Sequence, residues 1–256
     1  MVQPQPDAEA DALLARVRNA YQKVRTYDAT MTLHVRHNDG RWHNHRWTQV
    51  RLVYDRERAV MRIQGPEWLV IHSESDVTIQ PVNRHTHYTR NPVESGLTAQ
   101  SVDDLGPLVP QPLPPAAVLL LSASPFEFMA QTLFQDDVGE VSVTPADVTD
   151  AARRPAIHLN GQFWTATMWV DPATDLINGY RLSIAGEVVD PDATEPMVVE
   201  YEFDQVAVDA PVDEKLLSID TSQAEQVQSI RELMSLHRLV GREAPPVVLK
   251  SLDGTT

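Results

Sequence analysis

Nine histidines are the residues of this 256-residue chain best suited to chemistry, and several sit close together. His34 and Arg36 share one period-two register in "DATMTLHVR", and His43 and His45 follow the turn signal Asn38-Asp39-Gly40. With Asp39-Gly40 as a two-residue hairpin turn, His34 is expected opposite His45 and Arg36 opposite His43. All four would then share one sheet face, where cross-strand neighbours approach to about 5 Å. His85 and His87 share a face in the same way. Two or three imidazoles with a carboxylate are a zinc ligand set. Arg36 would put a cation inside such a site, so the reading adopted is a polar, solvent-facing strand without metal. Other chemistries lack their residues. There is no Gly-x-Ser-x-Gly elbow, no Gly-rich phosphate loop and no His-Glu-x-x-His helix. Cysteine is absent altogether. Asp103-Asp104 and Asp136-Asp137 lie in turn-like segments, where solvated acids are the rule. No catalytic residue, cofactor or metal is assigned.

The elements that would position any site belong to an ordinary globular composition, 42% hydrophobic and 22% charged. A formal net charge of -15 and a pI of about 4.9 argue against nucleic acid and anionic membrane as partners. No run of about 18 apolar residues exists to form a transmembrane segment. The longest apolar cluster, "PPAAVLLLSASPFEFMAQTLF", is broken by Ser122, Ser124 and Pro125. The amino terminus lacks the basic and apolar regions of a secretory signal; for an exported protein this implies a signal peptide already removed.

Helical spacing of Leu13, Leu14, Val17, Ala20, Tyr21 and Val24 predicts a helix over 8–25. Period-two segments then predict strands across 28–90, with turns at Gly65-Pro66 and Ser73 to Asp76. Residues 107–134 form a Pro-rich, apolar insertion, and strands resume over 139–208. A linker helix is expected at 221–238, closing a domain of residues 1–240. Many short strands with tight turns indicate a mainly β (α+β) chain: a strongly curved antiparallel sheet, or incomplete β-barrel, covered by helices.

This order resembles the LolA/LolB-like fold of periplasmic lipoprotein carriers. The residues that carry the likeness are mostly in the second half. "WTATMWVDPATDLINGYRLSI" is similar to the family's strand, Asp-Pro turn and return strand, with Trp164, Trp169, Asp171, Pro172 and Leu176 in place. "VVEYEFDQVAVDAPVDEKLLSID" is similar to the section that follows, although Leu217-Ser218-Ile219-Asp220 stands where the family often has Phe-x-Phe. "LLARVRNAYQKVRTYDATMTL" is similar to the opening helix and strand. The resemblance covers most of residues 8–220 and implies a concave apolar surface that receives acyl chains or another hydrophobic partner, with no catalysis.

The insertion is too apolar for an exposed loop, and it either plugs the barrel or acts as a lid over a pocket. In the lid version, a hydrophobic ligand-binding pocket is expected from Leu119, Leu120, Phe126, Phe128, Met129, Leu133, Phe134, Trp164 and Trp169. The last stretch, "GREAPPVVLKSLDGTT" at 241–256, resembles the start of a thioredoxin-like redoxin domain through Gly241, Ala244, Pro245, Val247, Val248, Leu249, Leu252, Asp253 and Gly254. The alternative for it is a Pro-containing tail. The resemblance implies a truncated redoxin fused in cis, whose Trp-Cys-x-x-Cys would lie further on. The expected function is therefore a non-enzymatic periplasmic binding or sensing module for a lipid or lipidated protein, in front of a redoxin. The alternative is an interaction domain that positions the redoxin on its client, without a small ligand. Either way these residues carry no enzyme activity, whereas the full-length protein could carry a thioredoxin-like oxidoreductase. Because only ligands that prefer the folded state raise stability, adding zinc should leave the thermal midpoint nearly unchanged. A rise of several degrees that disappears in His45→Ala would overturn the metal-free reading.

Overall fold

The computed structural model describes residues 8–38, 43–83, 85–134, 140–144, 155–189, 191–193 and 195–239. The redoxin-like stretch 241–256 lies outside them. Helix α1 (Ala8–Lys23) buries Leu13, Val17 and Tyr21, one residue per turn along a single face, and Val24 just beyond its end. Its last carbonyls are capped from outside the helix. Arg56 donates from Nε to the Val24 carbonyl at 2.8 Å and from Nη2 to the Tyr21 carbonyl at 3.1 Å. A guanidinium at this end also suits the helix dipole.

Six strands follow: β1 (Thr26–Asn38), β2 (His43–Asp55), β3 (Val60–Gln64), β4 (Trp68–Ser73), β5 (Asp76–Pro81) and β6 (His87–Pro92). The insertion contains α2 (Ala99–Asp103), a 3-10 turn at Gly106–Leu108, α3 (Pro115–Leu121) and α4 (Pro125–Phe134). Then come β7 (Glu140–Thr144), β8 (Ala156–Asn160), β9 (Trp164–Val170), β10 (Ile177–Ile184), the short α5 (Gly186–Val189) and β11 (Met197–Val208). A 3-10 turn at Glu214–Leu217, β12 (Glu225–Gln226) and α6 (Ile230–Leu239) complete the described chain.

The strands form one open, curved sheet in the order β12-β6-β5-β4-β3-β2-β1-β11-β10-β9-β8-β7. Every neighbouring pair is antiparallel except β12 on β6. The two halves of the chain meet where β11 pairs with β1. There Thr30 stands opposite Gln205 and Met31 opposite Phe203, so Asp204 is an unmatched bulge residue. A bulge bends the strand and strengthens its twist. The Asp204 carboxylate accepts a 2.9 Å hydrogen bond from the Thr32 hydroxyl.

The mainly β, curved-sheet architecture expected from the sequence is what forms, with three differences in detail. In the first hairpin Asn38 pairs with His43, so four residues, not two, separate the strands. His34 therefore stands opposite Trp47, and Arg36 opposite His45. A shift of two residues keeps the face and changes every partner. Secondly, residues 221–229 are not helical. They carry β12, and α6 starts only after Ser229, whose hydroxyl accepts from the Glu232 amide at 3.2 Å while the Glu232 carboxylate accepts from the Gln228 amide at 3.1 Å. The run Ser229-Ile230-Arg231-Glu232 is a capping-box sequence that marks this start. Thirdly, β12 runs parallel to β6, where an antiparallel sheet was expected.

One continuous core lies on the inner face. Tyr27, Ala29, Met31 and Leu33 of β1 meet Val50, Leu52 and Tyr54 of β2 on one side and Val199 and Tyr201 of β11 on the other. The Tyr21 hydroxyl reaches across to accept from the Ile177 amide at 3.3 Å. His72 also points inward, in register with Met61 and Val77, and is 2% exposed. Its Nδ1 lies 2.8 Å from the Ser73 carbonyl. Burial pushes its pKa below the usual histidine range, outweighing that carbonyl and the charges of Asp76 and Glu74. The sign follows from linkage: below pH ~6.5 the unfolded chain takes up a proton that the folded chain resists. Stability should be full above that pH and fall as the pH drops through it. His72→Phe should lose less of its thermal midpoint between pH 7.5 and 5.5 than the wild type; an unchanged slope would contradict this.

Candidate functional site

The insertion decides where space remains on the inner face. Proline at the first positions of α3 fits a helix start, since its missing N–H would be unpartnered there anyway. Pro115, Ala116, Ala117, Val118, Leu119 and Leu120 are all buried. A helix apolar all round has no solvent side and belongs inside. The loop before it contributes Leu108, Val109 and Leu113 to the core. It is tied to the sheet by the Tyr201 hydroxyl, which donates to the Pro112 carbonyl at 2.7 Å. Tyr180, beside it on β10, packs its ring 6.3 Å from that of Tyr201. Desolvation raises both phenols well above their usual range, so they stay neutral at any physiological pH.

Among the described residues, the hollow beneath the insertion is small. The hollow bounded by Asp103, Pro112, Leu113, Val118, Phe128, Met129 and Tyr180 measures about 10 Å³, scarcely the room of a single water. Residues 115–120 are all buried against the core, with little room between them and β10 among the described residues. Leu119, Leu120, Met129 and Trp164 are joined in that core, and Phe126 and Phe128 pack half-buried against it. The side chains of Leu133 and Phe134 lie outside the described residues. Trp169 is not brought together with the others. Along β9, Trp164, Ala166, Met168 and Val170 face the core, which leaves Trp169 with Thr165 and Thr167 on the outer face. There it covers Gly179, where a Cβ would come within 2.9 Å of the indole ring. The odd spacing of Trp164 and Trp169 already put them on opposite faces of any strand.

The open space is elsewhere, at the end of the half-barrel that the plug leaves uncovered. A cleft of about 410 Å³ is lined by Leu33 and Val35 from the end of β1, Thr48 from β2, and Gly65, Pro66, Glu67 and Trp68 at the β3–β4 turn. Its far wall is the run Pro107, Leu108, Val109, Pro110 and Gln111. The volume falls at the lower end of the ~300–1,000 Å³ typical of small-ligand pockets. The turn is held by the Gly65 amide donating to the Trp68 carbonyl at 3.0 Å and the Val82 amide donating to the Glu67 carbonyl at 2.8 Å. Three prolines of fixed φ stiffen the walls, and the Pro110 ring stands 4.0 Å from the position a Cβ on Gly65 would take. The signal for this site was the alternation of Leu33 and Val35, which continues the apolar face of β1 past the point where the plug ends. The Pro-rich run 107–111 gives no periodicity that would reveal it as a wall.

Two other hollows of similar size have charged residues in their walls that are hydrogen-bonded to neighbouring groups. One, about 380 Å³ on the outer face, has Arg51 bound bidentately to Asp28 at 3.0 and 2.8 Å. The other, about 390 Å³, is lined by Arg56, which caps α1, and by Asp209, whose carboxylate accepts from the Arg25 amide at 2.7 Å.

The histidines disperse. On the outer face His34 Nδ1 lies 3.5 Å from the Glu200 carboxylate, which Arg181 approaches to 3.4 Å from the other side. His85 meets Gln80 at 3.1 Å and His87 meets Glu225 at 3.7 Å. The side chains of His43 and His45 lie outside the described residues. Among the described residues no three His, Asp or Glu side chains converge as metal ligands.

No protein-family model matches the chain, and no curated protein matches it. Solved structures do. An uncharacterized conserved protein from Thermus thermophilus is similar over 86% of this chain and 99% of its own, at 8% identity and a TM-score of 0.46. Lipoprotein LppX of Mycobacterium tuberculosis is similar over 81% and 98%, at 7% identity and 0.44. A LolA superfamily protein from Nitrosomonas europaea is similar over 82% and 98%, at 8% identity and 0.36. A protein of the LolA superfamily is therefore among the structures of similar fold. Since Leu120 is buried in the core, Leu120→Ala should cost about 2–5 kcal/mol, as for other large-to-small changes in packed sites, measured by urea unfolding. A cost under ~1 kcal/mol would mean the helix is not packed.

Proposed function

We propose that this chain is a non-catalytic, exported binding module that takes a single apolar chain, of a lipid or a lipidated protein, at the mouth of its half-barrel. The observation that carries the reading is an apolar cleft of about 410 Å³ beside a plug with essentially no space beneath it. Leu33, Trp68, Leu108 and Val109 form the cleft's buried floor, and prolines keep its walls apart. Burying one alkyl chain there gains roughly 0.8 kcal/mol per CH₂, enough for a reversible carrier or sensor. The volume suits part of one chain rather than a whole two-chain lipid. The exported setting and the lipidated partner come from the resemblance of residues 8–220 to LolA/LolB-like carriers, and a thioredoxin-like domain in cis comes from the pattern at 241–256. In this reading the ligand lies against Leu33, Val35, Trp68, Leu108 and Val109.

The competing reading is an interaction domain that positions a thioredoxin-like domain and binds no small ligand. The filled core under 115–120 favours it, because a classical deep acyl cavity is absent among the described residues. Titration of a fluorescent fatty-acyl probe separates the two. The wild type should bind saturably, Val35→Asp should weaken binding at least ten-fold, and Leu120→Ala should lose stability while still binding. Absence of saturable binding over the soluble range of probe would leave the interaction domain as the reading.

A further inference from the structure

The outer-face hollow of about 380 Å³ lies across the Gly65-Pro66 turn from the cleft, and that turn lines both. It opens where β3 stops pairing with β2, at Gln64 opposite Arg51, while β2 extends back to His43. Thr30 of β1, Gln49 and Arg51 of β2 and Gln64 of β3 line it. They alternate with the buried Ala29, Met31, Val50, Leu52 and Ile63, so their side chains share the outer face. Two of the four are held in place by bonds that leave donors over. Arg51 binds Asp28 through Nε and Nη2, at 3.0 and 2.8 Å, and keeps Nη1. Gln64 Oε1 accepts from Arg62 Nη2 at 2.6 Å, which orients the amide and keeps its Nε2 as a donor. The Thr30 hydroxyl and the Gln49 amide make no side-chain hydrogen bond among the described residues, and each both donates and accepts. Pro66 and Val82 add apolar wall. The side chains of Trp47, next along this face of β2, and of Arg84, two residues past Val82, lie outside the described residues. An aromatic ring and a further donor are what these residue types bring, so the set of groups above does not depend on them.

A ligand that matches this hollow has acceptors for two oriented donors, hydroxyls that exchange bonds with Thr30 and Gln49, and a C–H face for Pro66 and Val82. A sugar ring carries all three. An inorganic anion accepts only and has no apolar face. We propose that the hollow is a second binding site, for an uncharged saccharide, separate from the cleft and from its acyl ligand. The volume lies at the lower end of the small-ligand range, which suits a short saccharide. A few hydrogen bonds to neutral hydroxyls in an open hollow give weak binding, on the order of millimolar.

The test is a chemical-shift titration of the isotope-labelled protein with maltose, lactose and diacetylchitobiose, and with sodium sulfate as the anion. At least one sugar should bind saturably and shift the amides around Thr30, Gln49 and Gln64. Thr30→Val and Gln49→Ala should each weaken that sugar about five-fold, as for one lost hydrogen bond, and leave acyl-probe binding unchanged. Val35→Asp, which alters the cleft, should leave the sugar affinity unchanged. Failure of all three sugars to bind up to about 10 mM overturns the proposal, as does a site that takes sulfate and no sugar. Sugar binding that is lost in Val35→Asp but kept in Thr30→Val would place the sugar in the cleft and overturn it too. If the acyl probe fails to bind while the sugar does, the reading of the cleft falls and this one stands.

Discussion

Tyr27, Met31, Leu52, Tyr180, Leu182 and Tyr201 lie fully or almost fully buried on the inner face of four adjacent strands. An open sheet has no second sheet to lay over such a face, so helices and loops must cover it. Here the cover is α1 from before the sheet and the insertion from its middle, held down by the hydrogen bond from Tyr201 to the Pro112 carbonyl. A buried phenol without a partner would cost about 1–3 kcal/mol, so this bond also fixes which way the loop 107–113 turns. The cleft is what that loop leaves over: it crosses the inner face short of the ends of β1 and β2.

Polarity is sorted between the two faces by the same period-two alternation. Inner-face phenols are kept neutral by desolvation, with their pKa values raised. The outer face carries the ionised groups, such as Arg51 on Asp28 and Arg181 on Glu200. Half-exposed pairs of this kind contribute little to stability; they keep a broad sheet face hydrated. His72 breaks the sorting: it is on the inner face, where burial lowers its pKa.

Much of this was legible in the residues. Leu13, Val17 and Tyr21 repeat at helical spacing, and Ala29, Met31 and Leu33 alternate, because a helix or strand that covers one side of a core must show that period. Gly65-Pro66 marked a turn that became a wall of the cleft. The hairpin register was not legible, because Asn38-Asp39-Gly40 suits a tight turn while the strands stop pairing at Asn38 and His43. Nor was the start of α6 read, although Ser229 and Glu232 stood at capping-box spacing.

What the sequence determined by itself is the class of the fold and the fate of the apolar residues. Periodicity fixes which side chains share a face, and an all-apolar segment such as 115–120 has to be buried somewhere. Whether that segment roofs a cavity or fills one depends on volumes contributed by strands far away in the chain. Tyr180 and Tyr201 close the space from well beyond the insertion in sequence. The cleft joins β1, β2, the β3–β4 turn and the loop 107–111, and nothing local in the sequence signals that the loop meets the strands. Burial is written locally in a sequence, whereas empty space is the difference between surfaces that only the tertiary structure brings together.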